Sequence, residues 1–243
     1  MTDKYYAEIF NHSGASYHQA MELFPKARAE EFLGTLSLLR LEQGDCLLDV
    51  PAGGGYLKSY LGDDIDYLGL DFSAGFVDNK NIIACSEANI PIDTNSVNKA
   101  VSLAAMHHVQ DKTGFIKELS RCLVPNGVLV IGDVLSESKE ASFLNGFVNR
   151  FNSLGHNGNF IDVDRDIILL NECGFSASHI VKNYRWHFQS ETLCLDYLRL
   201  LFALDKQPTL SELANAINKL GVRQTSSGFH LNWSLSFLVA ILR

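Results

Sequence analysis

The chain has 243 residues, of which 47% are hydrophobic and 20% charged, a composition that suits a globular protein with a sizeable core. The formal net charge of −8 excludes a general attraction to nucleic acid or anionic lipid, so we predict neither as a partner. No apolar stretch approaches the roughly 18 residues that a membrane span needs. Five scattered cysteines without metal-ligand spacing predict core thiols of a cytoplasmic protein and no metal site.

Two helical patterns precede the first strand-like run, and strand-length apolar runs then alternate with helical patterns. The runs lie at residues 46–50, 67–71, 81–85, 99–104 and 127–134. Because these runs are continuously apolar, we expect strands that are buried on both faces, as in a parallel sheet with helical crossovers. The clearest helical pattern lies between the last two runs and is followed by the Pro-Asn-Gly stop at residues 125–127.

The pattern changes after residue 134. Two helical segments flank the polar, glycine-rich stretch "GHNGNFID", which we interpret as a functional loop. Two further strand candidates, "ASHIVKNYRWHF" and "FHLNWSLSFLVAI", are separated by two helical patterns near the end of the chain. We predict one domain over residues 1–243, with an N-terminal helical lid (1–43), a ligand-binding core (44–134) and a substrate-side part (135–243).

The stretch "LLDVPAGGGYL", residues 47–57, runs from a buried strand through a glycine-rich turn into a helix-like segment. Glycine lets a ligand approach the main chain because it has no Cβ, and a helix start adds free N–H donors. A P-loop is excluded, since Tyr56 and Leu57 stand where it needs Lys and Ser or Thr. The dinucleotide fingerprint also fails because the glycines are consecutive, so a nucleoside without phosphates is the favoured ligand.

The second strand ends at Asp71, where a carboxylate can accept hydrogen bonds from both ribose hydroxyls. Asp49 and Asp71 are 22 positions apart (71 − 49), a spacing that suits one β-α-β unit. The segments "LDVPAGGGYL", "GLDFSAGFV", "CSEANIPID" and "SLAAMHHV" followed by "LSRCLVPNGVLVIGDV" carry a family resemblance in this order. They resemble class I S-adenosylmethionine-dependent methyltransferases of the methyltransferase type 11 group, similar to the ubiquinone and menaquinone biosynthesis enzymes.

The resemblance covers roughly residues 44–134 and implies both the cofactor and the fold. The fold implied is a doubly wound, Rossmann-like α/β fold, with a seven-stranded mixed sheet, an antiparallel last strand and helical cap insertions. Asp71 would bind the ribose, Phe72 would lie against the adenine, and Pro51 replaces the first glycine of the family's motif. The predicted S-adenosylmethionine-binding residues are Asp49, Pro51, Ala52, Gly53, Gly55, Asp71, Phe72, Ser86, Glu87 and Ala104.

Two histidines are predicted to be catalytic. His107 follows the fourth strand, at the sheet edge where open α/β folds bind ligands, and it could take a proton from a hydroxyl or an acidic carbon. His156 lies in the glycine-rich loop, with a solvated loop histidine as the alternative interpretation. For His108, the resemblance favours a structural role. In similar enzymes the N-terminal region folds over the cofactor, and Arg28 could pair there with its carboxylate or form a surface ion pair.

We therefore predict methyl transfer to an oxygen or carbon of a small apolar or aromatic metabolite, with nitrogen acceptors left open. Aromatic residues of the two late strand candidates could form a wall of its pocket if those strands pair, with core packing as the alternative. Pro51 and Ser86 depart from the family's Gly and Asp, which leaves open a catalytically silent cofactor-binding or regulatory subunit. A nicotinamide-dependent oxidoreductase is a third possibility, against which the failed dinucleotide fingerprint counts.

Overall fold

The computed structural model describes residues 6–77 and 81–243, so Tyr5 of the predicted N-terminal lid lies outside the described residues. Two helices precede the first strand, α1 (Tyr6–Leu23) and α2 (Ala29–Leu39). The strands are β1 (Cys46–Asp49), β2 (Asp66–Asp71), β3 (Ile82–Ala84), β4 (Val97–Leu103), β5 (Leu123–Asp133), β6 (Phe175–Phe188), β7 (Val222–Thr225) and β8 (Gly228–Leu242). The later helices are α3 (Ala74–Val77), α4 (Lys112–Cys122), α5 (Lys139–Ser142), α6 (Asn149–Phe151), α7 (Val163–Glu172), α8 (Glu191–Leu201) and α9 (Leu210–Asn218).

Within the described ranges the strands form one eight-stranded sheet in the order β3-β2-β1-β4-β5-β8-β6, and β7 pairs with β8 off this path. Strands β1 to β5 run parallel, whereas β8 runs antiparallel to both of its neighbours, β5 and β6. The predicted doubly wound sheet with an antiparallel last strand is confirmed. The short β7 adds one strand to the predicted seven because the chain makes a hairpin just before β8.

The segment after the glycine turn is helical, as predicted, but short. Residues Tyr56–Tyr60 form only a 3-10 helix, in which Lys58 N–H donates to the Gly55 carbonyl at 3.1 Å. The chain then becomes extended at Leu61. A 3-10 helix also leaves its first N–H groups without partners inside the helix, so the donors expected at its start stay a prediction.

Helix α4 shows how the hydrophobic pattern produces the crossover between β4 and β5. The Asp111 side chain caps it by accepting a hydrogen bond from the Gly114 N–H at 2.8 Å. Phe115, Ile116 and Leu119 on one face are at most 1% exposed. The helix ends at Cys122, just before the predicted Pro-Asn-Gly stop, and β5 begins at the next residue.

The core has two parts, one on each face of the sheet. One contains α4, α7 and the residues beneath them, and the other contains α2, α8, α9 and the aromatic residues of β6 and β8. The segment 140–154 was predicted to be helical, and the structure has α5, a π-helical turn (Phe143–Val148) and α6 there, ending at Phe151. None of the helices in the described parts of the chain combines the length and apolarity that crossing a membrane requires.

Candidate active site

The glycine turn after β1 exposes main chain, as the sequence predicted. Gly53 and Gly55 have φ angles of 57° and 72°, in the left-handed region that favours glycine. A Cβ placed on Gly53 would meet nothing within 4 Å, so the main chain is open on that side. A Cβ on Gly55 would lie 3.0 Å from Ile82 Cδ1, so this glycine packs against β3 instead.

Asp71 lies directly beside this turn at the end of β2. Its Oδ2 accepts hydrogen bonds from the Gly53 N–H at 2.7 Å and the Tyr6 hydroxyl at 3.0 Å, and its Oδ1 accepts one from the Ser73 N–H at 2.8 Å. Burial raises the pKa of Asp71 to about 6, although these three hydrogen bonds act in the opposite direction. The Tyr6 hydroxyl that donates to Asp71 comes from α1, so the hydroxyls of a ribose would have to replace it.

Asp49, at the end of β1, is a second buried carboxyl group in this region. The Tyr67 hydroxyl donates to its Oδ2 at 2.7 Å. Burial raises the pKa of Asp49 to about 7, and the negative charge of Asp71 adds to this effect. The carboxyl ends of β1 and β2 thus place two acidic groups next to the glycine turn.

A cavity of about 530 Å³ opens between the glycine turn and α1, and we call it the cofactor cavity. Five predicted cofactor-binding residues line it: Asp49, Pro51, Ala52, Gly53 and Ala104. Aromatic residues of α1 line the opposite side, among them Phe10, which the sequence gave no reason to select.

The other predicted cofactor residues do not line this cavity. The Phe72 ring packs at 5.4 Å from both the Tyr6 and the Phe115 rings, measured between centroids. Ser86 forms an isolated bridge with the main chain of Asn89. Glu87 accepts hydrogen bonds at its Oε2 from the Gln110 and Asp111 N–H groups, at 3.2 and 3.3 Å. Contacts of Phe72, Ser86 and Glu87 with adenine therefore stay predictions.

Arg28 lies between the cofactor cavity and a second cavity, and it lines both. Its guanidinium pairs with Glu31, and its Nη1 donates to the Tyr17 hydroxyl at 2.8 Å. Only 5% of Arg28 is exposed, so the alternative of a surface ion pair is wrong. A ligand carboxylate would meet a guanidinium that already has an anionic partner.

The second cavity, of about 750 Å³, adjoins the cofactor cavity and shares Phe10, Tyr17, Arg28 and Ala104 with it. We call it the histidine cavity, because His107, His108 and His156 line it together with largely apolar side chains. The remaining lining residues are Ile9, Ser13, Asp133, Val134, Leu144, Val148, Asn152, Gly155, Trp186, Leu201, Phe202, Trp233 and Leu235.

The two late strands pair, as the prediction of an aromatic wall required. In the β6–β8 ladder Tyr184 lies opposite Trp233, and the rings of Trp186 and Trp233 stack with centroids 4.5 Å apart. Both tryptophans line the histidine cavity. His187 and His230 also pair with each other but are not among the residues that line it, so only part of the aromatic set forms the wall.

His107 is held by Asp133, a residue that the sequence analysis did not select. The His107 Nδ1 lies 2.8 Å from Asp133 Oδ1, and the main-chain N–H of His107 donates to Asp133 Oδ2 at 2.9 Å. Burial favours a raised pKa of Asp133, but the His107 ring and these hydrogen bonds outweigh it and lower the pKa below its usual value. Because a carboxylate only accepts hydrogen bonds, His107 Nδ1 carries a hydrogen, and in the neutral ring Nε2 is then the nitrogen with the lone pair.

His156 is fixed in a similar way by Asn145. The Asn145 Oδ1 accepts from the Gly158 N–H at 2.7 Å, while its Nδ2 donates to the Gly158 carbonyl at 3.0 Å, which defines the orientation of the amide. His156 Nδ1 lies 2.9 Å from the same Oδ1, so it must be the donor and leaves the lone pair on Nε2. Burial lowers the pKa of His156 to about 3, and the ring is therefore neutral. His156 is thus a partly buried loop histidine with a defined hydrogen-bond partner.

The three histidines lie in ring contact with one another. One ring nitrogen from each can be chosen such that all three lie within 4.8 Å of one another. The His107 ring centroid lies 4.0 Å from that of His108 and 5.3 Å from that of His156. The pKa of His108 is lowered well below its usual value by burial and then by its two neighbours. The spacing of the histidines in the sequence did not predict this cluster, because its third member, His156, lies in a loop about fifty residues further along the chain.

Comparisons with known proteins agree with this geometry. The family described as "Methyltransferase domain" matches residues 48–131. A curated protein from Bos taurus, "Probable tRNA methyltransferase 9B", is 29% identical over an alignment of 109 residues that covers 41% of this chain and 24% of that protein. The chain thus spans about a quarter of that relative's length.

Solved structures share the fold over most of the chain. The YcgJ protein from Bacillus subtilis superposes with a TM-score of 0.62 at 15% identity, covering 88% of this chain and 99% of that one. A methyltransferase from Haloferax volcanii, solved in complex with the Trm112 methyltransferase activator, gives a TM-score of 0.61 at 17% identity over 97% of this chain and 96% of that one. At these identities the likeness shows the fold.

The parallel sheet, the open glycine turn and Asp71 beside it are the features of a nucleoside-binding α/β protein. Residues 48–131, which contain these features, match the methyltransferase domain family, and the solved structures show the same fold over most of the chain. S-adenosylmethionine is the cofactor of this family. The residues that fit it are Gly53, whose open main chain lines the cofactor cavity, and Asp71, whose carboxylate lies beside the cavity and accepts a hydrogen bond from the Gly53 N–H.

Proposed function

We propose that the protein transfers a methyl group from S-adenosylmethionine to an oxygen or carbon of a small apolar or aromatic metabolite in the cytoplasm. The observation that carries the proposal is the contact between two cavities. The cofactor cavity and the histidine cavity share Ala104 at the end of β4, and His107 follows three residues later on the histidine side. An acceptor in the histidine cavity would thus lie next to the cofactor.

Different residues would bind different parts of the cofactor. Asp71 would accept hydrogen bonds from the ribose, and the main chain at Gly53 would lie against the nucleoside. S-adenosylmethionine, when bound, supplies an electrophilic methyl group on a sulfonium. The protein therefore has to align an acceptor atom with that methyl group, and alignment alone can contribute roughly 7–11 kcal/mol in favourable cases.

His107 is the residue placed to act on the acceptor. Asp133 fixes the ring and its tautomer, so Nε2 of the neutral ring is the atom that would take a proton from a hydroxyl or an acidic carbon. The partner of His107 on the buried side is an anion, which stabilises the imidazolium that proton uptake produces. His156, which contacts the His107 ring, would help to position the acceptor.

The lining of the histidine cavity favours a small apolar acceptor. Trp186, Trp233, Leu144, Val148 and Phe202 supply apolar walls, and the histidines supply the polar groups at one end. The curated bovine relative is named as a tRNA methyltransferase, so an RNA nucleoside is a second acceptor to consider. The net charge of −8 counts against it, because RNA binding depends on neutralising phosphates with basic residues.

The experiment separates the enzyme from a silent cofactor-binding subunit. Purified protein is first titrated with S-adenosylmethionine by calorimetry and then incubated with the methyl-labelled cofactor and a panel of phenols, acidic carbon compounds and total tRNA. Label transfer to a small acceptor, lost in His107→Asn, supports the proposal. Tight cofactor binding without transfer to any acceptor supports the silent subunit, and absence of cofactor binding contradicts both.

A further inference from the structure

We propose that His107, His108 and His156 form a binding site for one divalent transition-metal ion of the zinc type, with its fourth position open to the histidine cavity. Binding of the ion follows from the donor set alone. Its use in catalysis rests on the function proposed above. Sequence spacing had predicted no metal site, because two ligands are adjacent and the third comes from a distant loop.

The distances between the donors are close to those of a metal site. Tetrahedral zinc binds imidazole nitrogens at about 2.0–2.1 Å, which places neighbouring donors roughly 3.4 Å apart. The candidate nitrogens all lie within 4.8 Å of one another, so rotations of the rings can bring them to that spacing. His107 and His108 belong to one 3-10 turn (Met106–His108), and the glycines on either side of His156 allow its loop to adjust.

Partners behind two of the rings hold them in the form that binds metal. A metal-binding imidazole needs a lone pair on the nitrogen that meets the ion and commonly donates its other N–H to a carboxylate or carbonyl oxygen. His107 donates its Nδ1 hydrogen to Asp133, and His156 donates its own to the amide oxygen of Asn145. In the neutral rings both Nε2 atoms therefore carry lone pairs without any change of tautomer.

The chemistry of the donors indicates the class of metal. Imidazole suits zinc, copper, iron and nickel, whereas magnesium and calcium prefer oxygen ligands. Asp133 contributes a buried negative charge behind His107, which favours a cation in front of it. Arg28, the guanidinium that lines the same cavity, is paired with Glu31, and this pairing reduces its repulsion of an ion.

Such an ion would extend the acceptor class to molecules that coordinate it through an oxygen. A metal ion lowers the pKa of a hydroxyl bound to it, so the proton of that hydroxyl leaves to solvent water. An imidazole nitrogen that binds the ion cannot also accept a proton. His107 can therefore act either as a metal ligand or as a proton acceptor, but not as both at once. Metal titration separates them without any measurement of turnover.

The test uses the full chain, freed of metal by a chelator and titrated with Co²⁺ in the absence of cofactor. We expect one Co²⁺ per chain with the intense visible absorption of a four-coordinate site, and displacement by Zn²⁺. His156→Gln should weaken binding at least tenfold. Asn145→Ala, which leaves all three ligands in place, should weaken it about 10- to 100-fold. His230→Gln removes a histidine outside the cavity and should leave binding unchanged.

Equal Co²⁺ affinity of the wild type and His156→Gln, or only the weak absorption of six-coordinate Co²⁺, overturns the metal site. Melting curves confirm that each variant is folded before it is titrated. The result is independent of the proposed function. Cofactor binding without Co²⁺ binding rejects the metal site alone, and Co²⁺ binding without cofactor binding rejects the proposed methyl transfer alone.

Discussion

At the scale of single residues, the site depends on carboxyl groups that are buried beside the ends of strands. Asp49, Asp71 and Asp133 close β1, β2 and β5, and each is at most 3% exposed. Their environments differ: burial dominates at Asp49 and Asp71, whereas the His107 ring and hydrogen bonds prevail at Asp133. The three residues should therefore respond differently to pH and to substitution.

Asp49 should make the stability of the protein fall as the pH rises towards neutrality. Its pKa is about 7 in the folded chain and about 3.9 in an unfolded one. Between these values the folded state binds more protons, so the free energy of unfolding falls by up to about 1.4 kcal/mol per pH unit and levels off above pH 7. Urea unfolding at about pH 5 and about pH 7 should show a smaller fall for Asp49→Asn. Equal falls would contradict the assigned pKa.

Asp133 should matter for turnover and not for cofactor binding. Asp133→Asn keeps the size of the side chain but removes the negative charge that holds His107 and its tautomer. We expect kcat to fall by about 10²- to 10⁴-fold, the range typical of a lost acid–base group. The affinity for S-adenosylmethionine, measured by calorimetry, should stay within about twofold. A comparable loss of cofactor affinity would show that Asp133 serves the fold of the cofactor cavity instead.

At the scale of elements, α1 is packed over the ligand-binding edge of the sheet. It contacts α3 and α8, and three of its aromatic residues, Tyr6, Phe10 and Tyr17, line the cofactor cavity. The sequence predicted a lid in this region but not that its first described residue would bond to Asp71. This contact depends on the path of the chain in three dimensions, which local periodicity does not encode.

Tyr6→Phe should strengthen cofactor binding. In the wild type the Tyr6 hydroxyl and a ribose compete for the same carboxylate, so binding must break one hydrogen bond to form others. A hydrogen bond to a charged group contributes about 1.5–3 kcal/mol, so its removal should lower the Kd by about tenfold or more. Calorimetry checks this prediction, with Tyr60→Phe as a control outside the cofactor cavity. A weaker affinity of Tyr6→Phe would mean that Tyr6 itself helps to bind the cofactor.

Helix α4 offers a test of the packing that supports the site. Leu119 is fully buried against the sheet, so Leu119→Ala should reduce the free energy of unfolding by about 2–5 kcal/mol. Lys117 is exposed on the same helix, and Lys117→Ala should change the free energy of unfolding by no more than about 0.5 kcal/mol. Chemical denaturation of both variants gives the comparison. Equal effects would show that α4 is not part of the core.

At the scale of the whole molecule, the sequence predicted the fold better than it predicted the site. Continuously apolar runs specify strands buried on both faces, which is why the parallel sheet and its crossovers were found. Asp71 and the glycine turn were also found, because both follow directly from a strand end. The sequence analysis did not select Asp133 or Asn145, and it did not predict the contact between His156 and His107. These contacts depend on the folded path of the chain between the partners, which local patterns do not encode.

The account as a whole rests on Asp71 and the main chain at Gly53 as the nucleoside site. Calorimetric titration of S-adenosylmethionine into the wild type, Asp71→Ala and Asp63→Ala tests it most directly. Asp63 is exposed and provides a matched loss of charge away from the site. We predict that Asp63→Ala binds like the wild type and that Asp71→Ala binds at least about tenfold more weakly, the loss of one charged hydrogen-bonding partner. Unchanged affinity in Asp71→Ala would contradict the account.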